Sequence, residues 1–515
     1  MMKYMIGADI GTTSTKAVLY DLQGTVKAYA NVGYPLYQTV PDMAEEDPDE
    51  IFNAVLEVLR QVMRKGNVQA GELQGVSFSA AMHSLILMDE NDQPLTRAIT
   101  WADNRAAKAS QQLKESGLGQ AIYKHTGTPI HPMVPLSKLV WLKEAQPELF
   151  NQASQFIDIK TYVFQKLFHT YQMDYSIASA TGLFNIFNLD WDQQALEVAG
   201  VTRQQLPDLV EPTDYVKGID PIYGELTGIG AEVPFIFGAS DGVLSNLGVN
   251  AIDPGVVAVT IGTSGAVRVV VDHPVVDPNG KLFCYALTKD KWVVGGPVNN
   301  GGIVFRWVRD QLFAPEKITA KQMHVSTYDI LTQIAAEIPA GSDGLLFHPY
   351  LGGERAPIWD ADARGSYFGL TRQHTRAHMA RAALEGIVYN LYMVMLMIEG
   401  VAGKPKSIQA TGGFSRSELW RQMLADVFEQ DVTIPESFES SCLGAAVLGM
   451  YGLGLVDDLS AVKEMVGVTN VHHPEEANFA VYRELLPIWI RLTRELNTEY
   501  GAIADFQRKH MQVKE

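Results

Sequence analysis

Two short stretches of this chain repeat one another at a distance too long for a solenoid. Tyr4-Met-Ile-Gly-Ala-Asp-Ile10 reads as a strand, Gly11-Thr12-Thr13 as a turn, and Ser14-Thr-Lys-Ala-Val-Leu-Tyr20 as the returning strand. Later, Val256-Val-Ala-Val-Thr-Ile261 leads into Gly262-Thr263-Ser264 and then Gly265-Ala-Val-Arg-Val-Val-Val271. The two Ile-Gly-Thr triplets are offset by 251 residues (261 − 10), whereas solenoid units run to roughly 20–50. The pattern predicts a duplicated α/β domain, each copy opening on a β-hairpin. Length agrees, because one core stops growing near about 250–300 residues and the chain has 515. The turn-rich Asp253-Pro254-Gly255 sets the expected boundary, giving domains over 1–252 and 253–515.

Other elements follow from periodicity and capping. Thr25 to Tyr34 supplies a third strand, and a helix begins at Asp47-Pro48, with Asp47 as cap and Ile51, Phe52, Val55, Leu59 and Val62 on one apolar face. In the second half, Thr375 to Val401 is apolar-periodic, and Ser415-Arg-Ser-Glu418 has the spacing of a capping box for a helix through Phe428. A glycine-punctuated helix is expected from about Ser441 to Tyr451, and a final one from Tyr482 to Tyr500. The stripe of Met393, Met395 and Met397 reads as core packing.

Charge narrows the partners. The 41 Lys and Arg against 59 Asp and Glu give a net charge of −18, which repels nucleic acid. An anionic ligand must therefore be held by local cations and backbone N–H groups. Cys284 and Cys442 fit no metal or Cys-x-x-Cys spacing and read as buried thiols of a reducing compartment. Met1 to Gly7 carries no signal-peptide pattern, and the apolar run Ile387 to Ile398, with Asn390 inside it, is short for a membrane span. The expectation is a cytoplasmic protein with no membrane partner.

Asp9-Ile10-Gly11-Thr12-Thr13-Ser14-Thr15-Lys16 can aim N–H groups and hydroxyls at phosphate oxygens, with Asp9 holding a hydrated metal and Lys16 offsetting charge. Alone it reads equally as an ordinary hairpin turn. The second hydroxyl-rich turn at Gly262-Thr263-Ser264-Gly265 favours a pair of phosphate clasps. Gly412-Gly413-Phe414-Ser415-Arg416-Ser417, after the strand end Ile408 to Thr411, suits the approach of a flat base or ribose, or is simply a strand turning into a helix.

Together these stretches resemble the FGGY carbohydrate kinases. Met133-Val-Pro135-Leu-Ser-Lys138-Leu139-Val-Trp141-Leu142-Lys-Glu144-Ala145 is similar to that family's first signature, departing only at Ala145, and Gly365 to Leu370 with His378-Met379 and Ala382 to Glu385 is similar to the second. The resemblance implies two duplicated ribonuclease-H-like, actin-like ATPase domains with an ATP cleft between them, and transfer of phosphate from Mg²⁺·ATP to a sugar. It assigns Asp9, Gly11, Thr12, Thr13, Ser14 and Lys16 to ATP phosphate and metal, and Gly262 and Thr263 to a facing phosphate loop. Gly302, Arg306, Gly413 and Ser417 fall where the family contacts the nucleoside, and Asp241 in Gly238-Ala-Ser-Asp241-Gly242 falls on its catalytic base.

For the acceptor, the resemblance points to Met82, His83, Trp101, Asp103, Arg105 and His131, beside Asp241. Within the family these segments are most similar to members acting on gluconate, with xylulose as the nearer rival acceptor and an actin- or Hsp70-like ATPase as the distant one. Arg105, His83, His131 and Lys160 are the cations nominated for a substrate carboxylate; Lys160 reads equally as a surface charge. Assembly as a homodimer stays open. His374 and His378 share a helical face without a third ligand and read as structural, His472-His473 as solvated, and Glu354 and Arg355 as an ion pair.

Overall fold

The computed structural model describes residues 2–40, 42–436 and 439–510. Met1 and the tail 511–515 of the second expected domain lie outside the described residues. The chain forms two compact units that are not contiguous halves. The first comprises Met1–Pro254 with Val270–Val294 and Glu436–Gly467; the second comprises Gly255–Val269, Gly295–Pro435 and Val468–Glu515.

In the first unit, six strands form a sheet in the order Tyr215–Val216, Phe235–Ser240, Leu73–Ala80, Tyr4–Ile10, Ser14–Asp21, Val26–Gly33. The expected hairpin is present, Asp9 facing Lys16 and Ile10 facing Thr15 across an antiparallel pair. Tyr4–Ile10 and Phe235–Ser240 both run parallel to Leu73–Ala80, whose end Ala80 is level with Ile10 and with Ser240. Three chain segments thus leave one sheet at the same carboxyl edge, where parallel α/β sheets present their ligand sites. The helix Pro48–Lys65 is capped by Asp47, whose Oδ1 accepts from the N–H groups of Asp49 (3.0 Å) and Glu50 (3.3 Å). Its five expected apolar residues are all buried.

The helix Ser440–Gly452 owes its glycines to backbone contact. A Cβ on Gly444 would lie 2.0 Å from the Leu244 carbonyl oxygen, and one on Gly248 would lie 1.8 Å from that of Ser440. Gly7, on the first strand, would meet the Cys442 carbonyl at 1.9 Å. Only hydrogen side chains let this helix lie against both the Asp241–Gly248 helix and the first strand. Leu244, Leu247, Cys442, Ala446, Val447 and Met5 then share one core.

In the second unit, Val256–Ile261 pairs antiparallel with Gly265–Val271 and parallel with Ser407–Thr411, so the hairpin-plus-parallel-strand pairing of the first unit recurs. The 27-residue helix Arg376–Ala402 extends the apolar run on both sides and is long and apolar enough to cross a membrane, yet 61% of its most apolar window is buried inside the protein. It carries a buried ion pair, Arg381 Nε to Glu385 at 2.9 Å.

Two local expectations are corrected. The helix Glu418–Phe428 is capped by Ser417, whose Oγ accepts from Trp420 N at 3.2 Å, because Gly413–Arg416 winds into a 3₁₀ turn and Ser415 Oγ donates to Gly412 O instead. The helix expected over Tyr482 to Tyr500 runs Glu476–Asn497, and another, Tyr500–His510, follows. Glu354 is buried, accepting from Asn300 Nδ2 (2.9 Å), Asn390 Nδ2 (2.9 Å) and Arg355 N (2.8 Å), while Arg355 Nε donates to Asn299 Oδ1 at 2.7 Å. The Arg355 charge also acts on Glu354, opposing the rise in its pKa that burial causes. His378 does act structurally, completing a capping box at Thr375 and lying 3.1 Å from Asp343.

Candidate active site

In the first unit, the Asp9–Lys16 turn is closed by Gly11 N donating to Ser14 O at 3.1 Å, and buttressed by Tyr34, whose hydroxyl donates to Gly11 O. Directly opposed residues of an antiparallel pair project to one face, so Asp9 and Lys16 share a side of the sheet. Ser79 Oγ donates to Asp9 Oδ1 at 2.7 Å. Burial raises the Asp9 pKa, with the Ser79 hydrogen bond and Lys16 pulling the other way. Burial also pulls on Lys16, but its contact with Glu439 at 2.7 Å outweighs this and leaves its pKa raised. Glu439 was not visible to sequence reasoning, since 423 residues separate the partners.

Asp241 opens the helix Asp241–Gly248 directly after the strand ending at Ser240, and its Oδ1 accepts from Gly242 N at 2.7 Å. Beneath it, Ser240 N donates to Ser176 Oγ at 3.1 Å, and Lys160 Nζ lies 2.7 Å from Asp174 and 3.4 Å from the Ala239 carbonyl. Lys160 is buried, not a surface charge, and it is neutralised by Asp174.

The segments nominated for the acceptor occupy the same sheet edge. His83 follows the strand Leu73–Ala80 in a left-handed backbone conformation (φ 72°), and its Nδ1 lies 2.7 Å from the Ala180 carbonyl. A nitrogen facing a carbonyl must carry the proton, which makes Nε2 the lone-pair nitrogen of the neutral ring. Trp101 Nε1 donates to Thr12 Oγ1 at 2.8 Å, tying the segment nominated for the acceptor to the turn nominated for phosphate. Asp103 is fully buried, with Oδ2 accepting from Ala44 N (2.9 Å) and Arg105 Nε (2.9 Å). Arg105 also pairs with Glu45 and lies over the Trp141 ring at 4.8 Å. Two carboxylates thus already engage the cation nominated first for a substrate carboxylate. His131 Nδ1 accepts from Met133 N at 3.2 Å, and Met82 packs against the core.

In the second unit, Gly262, Thr263, Gly302, Arg306, Gly413 and Ser417 line a single cavity of about 340 Å³. Phe305, Tyr328, Phe414 and Trp420 wall it, with Phe305 stacked on Tyr328 at 5.8 Å and edge-on to Trp420 at 5.7 Å. A flat apolar slot with polar groups at its rim suits a nucleoside. Glycines bring its floor together: a Cβ on Gly302 would lie 2.7 Å from Gly262 O, and one on Gly412 would lie 2.2 Å from Ile261 O. At Gly413 a Cβ would meet nothing within 4 Å, so that backbone is open to the cavity. Ser326, Tyr328, Asp329 and Thr332 also line it and were missed, because no motif marks them in sequence.

Comparison with known proteins decides what such a chain is. Residues 4–248 match the N-terminal domain of the FGGY family of carbohydrate kinases, and 257–453 match its C-terminal domain. The chain belongs to the FGGY family of carbohydrate kinases. It catalyses ATP-dependent phosphorylation of a sugar or sugar acid. A gluconokinase of Bacillus subtilis (strain 168) is 52% identical over 509 residues, covering 99% of each chain. Two crystal structures from Lactobacillus acidophilus, one described as a ligand-bound xylulose kinase (43% identity) and one as a gluconate kinase (42%), each have a TM-score of 0.92 and cover 98% of this FGGY chain and all of theirs.

Proposed function

We propose that this FGGY kinase transfers the γ-phosphate of Mg²⁺·ATP to the 6-hydroxyl of D-gluconate. The observation that carries the acceptor is the 52% identity, over nearly the whole of both chains, to a protein named gluconokinase. Phosphoryl transfer needs alignment and charge stabilisation more than covalent chemistry. Asp241 accepts the proton of the attacking hydroxyl, within one sheet edge of His83 and Trp101. The slot of the second unit takes the base and ribose, with the Thr263 turn toward the phosphates.

Mg²⁺ fits the donors present. It is commonly held by one or two carboxylates together with phosphate oxygens and waters, and Asp9, a carboxylate whose pKa burial raises, is placed beside hydroxyls and a lysine. When bound, the ion offsets charge on the transferring phosphoryl group. The recurrent hairpin pairing supports descent of the two sequence domains from a duplicated ribonuclease-H-like unit.

Xylulose is the second reading, favoured by the 43% identity to the Lactobacillus acidophilus chain described as a xylulose kinase. ADP release measured with gluconate, xylulose, ribulose and glycerol, followed by locating the phosphate in the product, separates the two. Gluconate should give the highest kcat/KM and 6-phosphogluconate. A higher kcat/KM for xylulose would overturn the acceptor assignment and leave the kinase assignment standing.

A further inference from the structure

Lys138 lies in the helix Pro135–Ala145 and is completely buried. Its ammonium donates to three carbonyls: His83 O at 2.6 Å, Thr100 O at 2.8 Å and Ile99 O at 3.0 Å. No carboxylate lies within salt-bridge distance of it among the described residues. An ammonium has three donors, and all are spent on two segments about 16 residues apart in sequence (99 − 83). Burying an uncompensated charge is costly, and a packed apolar side chain generally serves stability as well or better. The cost is visible in the group itself: burial pulls Lys138 down to about 7, with Asp103 opposing and Arg105 reinforcing the shift.

What the three carbonyls have in common is their neighbours. One belongs to His83, whose left-handed conformation is unusual for a side chain with a Cβ and is held in place. Another belongs to Thr100, one residue before Trp101 and in the loop that continues through Asp103 to Arg105. Through Trp101 the same loop reaches Thr12.

We propose that Lys138 is a positioning residue of the acceptor site, fixing the His83 turn and the Trp101–Arg105 loop at one spacing through their carbonyls. The proposal rests on the reading of these segments as the acceptor site. Lys138 touches no substrate in this scheme; it sets the distance between groups that do.

The test compares Lys138→Met and Lys138→Gln with the unmodified enzyme, using whichever acceptor the latter turns over best. Lys138→Met should raise the acceptor KM at least tenfold while the KM for ATP stays within twofold. Lys138→Gln, which keeps two of the three donors, should fall in between. Simple loss of folded protein would lower kcat without moving one KM against the other. A normal acceptor KM in folded Lys138→Met, or equal rises in both KM values, would overturn the proposal. So would failure of both variants to fold, since Lys138 would then serve the fold itself. Absence of gluconate turnover in the unmodified enzyme is a separate result, which bears on the acceptor assignment alone.

Discussion

Gly302 and Gly413 line the same cavity but differ in what a methyl group would meet, and that difference makes a paired test. At Gly302 an added Cβ would sit 2.7 Å from the Gly262 carbonyl oxygen. Relief to an ordinary contact of 3.4 Å requires the Gly262–Ser264 turn and the helix start at Gly302 to part by 0.7 Å. Overpacking of this kind costs roughly 1–3 kcal/mol, and misplacement of positioning groups by about 1 Å costs on the order of a hundredfold in rate. Gly302→Ala should therefore lower the unfolding free energy by roughly 1–3 kcal/mol and reduce kcat/KM for ATP by roughly 10- to 100-fold. At Gly413 the same methyl group enters open space, so Gly413→Ala should change stability by no more than about 0.5 kcal/mol. Its effect should appear only with ligand, as a weaker ATP affinity. Denaturant titration combined with calorimetric nucleotide binding reads both variants. Unchanged ATP affinity in Gly413→Ala, or unchanged stability in Gly302→Ala, would refute the reasoning.

Asp241→Asn should reduce kcat by roughly 10²- to 10⁴-fold with ATP affinity within twofold, checked by steady-state kinetics beside nucleotide titration. Lys16→Ala removes the cation proposed to face the phosphates, which is also the partner of Glu439, so the KM for ATP should rise at least tenfold while acceptor affinity measured without nucleotide holds. Burial lifts Glu46 from 4.5 to about 8, and its Oε1 has no hydrogen-bond partner among the described residues. The folded protein thus keeps a proton that the unfolded chain loses, and stability should fall as pH rises from 4.5 to 8. Glu46→Gln cannot ionise, so its stability advantage over the unmodified protein should grow by roughly 2–5 kcal/mol between pH 5 and pH 8.5, as read by denaturant titration at each pH.

Both hairpins were legible to within a residue or so because alternating strands and Gly-Thr turns are local signals. The cap of the Pro48–Lys65 helix was legible for the same reason. What escaped was set by contacts between distant backbones. Nothing in the sequence Ser440 to Gly452 says that its glycines will meet Leu244 and the first strand, and so place Glu436–Gly467 in the first unit. Lys160 read equally as a carboxylate-binding cation or a surface charge because its partner, Asp174, lies in a separate strand. Family resemblance nominated Gly302, Arg306, Gly413 and Ser417 for the nucleoside, and the repeat nominated the Gly262-Thr263 turn for phosphate, yet Ser326, Tyr328, Asp329 and Thr332 line the same cavity and carry no pattern that periodicity can detect. Lys138 was visible as part of a signature, but its three carbonyl partners required coordinates.

The hydrogen bond from Trp101 to Thr12 carries a consequence for energetics. With Trp101 facing the acceptor and Thr12 facing phosphate, as proposed, an acceptor that shifts the indole would strengthen or weaken that bond. Thermodynamic linkage makes such an effect reciprocal: the factor by which acceptor changes nucleotide affinity is the factor by which nucleotide changes acceptor affinity. On the proposed roles, that single 2.8 Å contact joins the residue facing the acceptor to the hydroxyl facing the phosphate, so a Trp101→Phe variant should alter the effect of acceptor on ATP affinity.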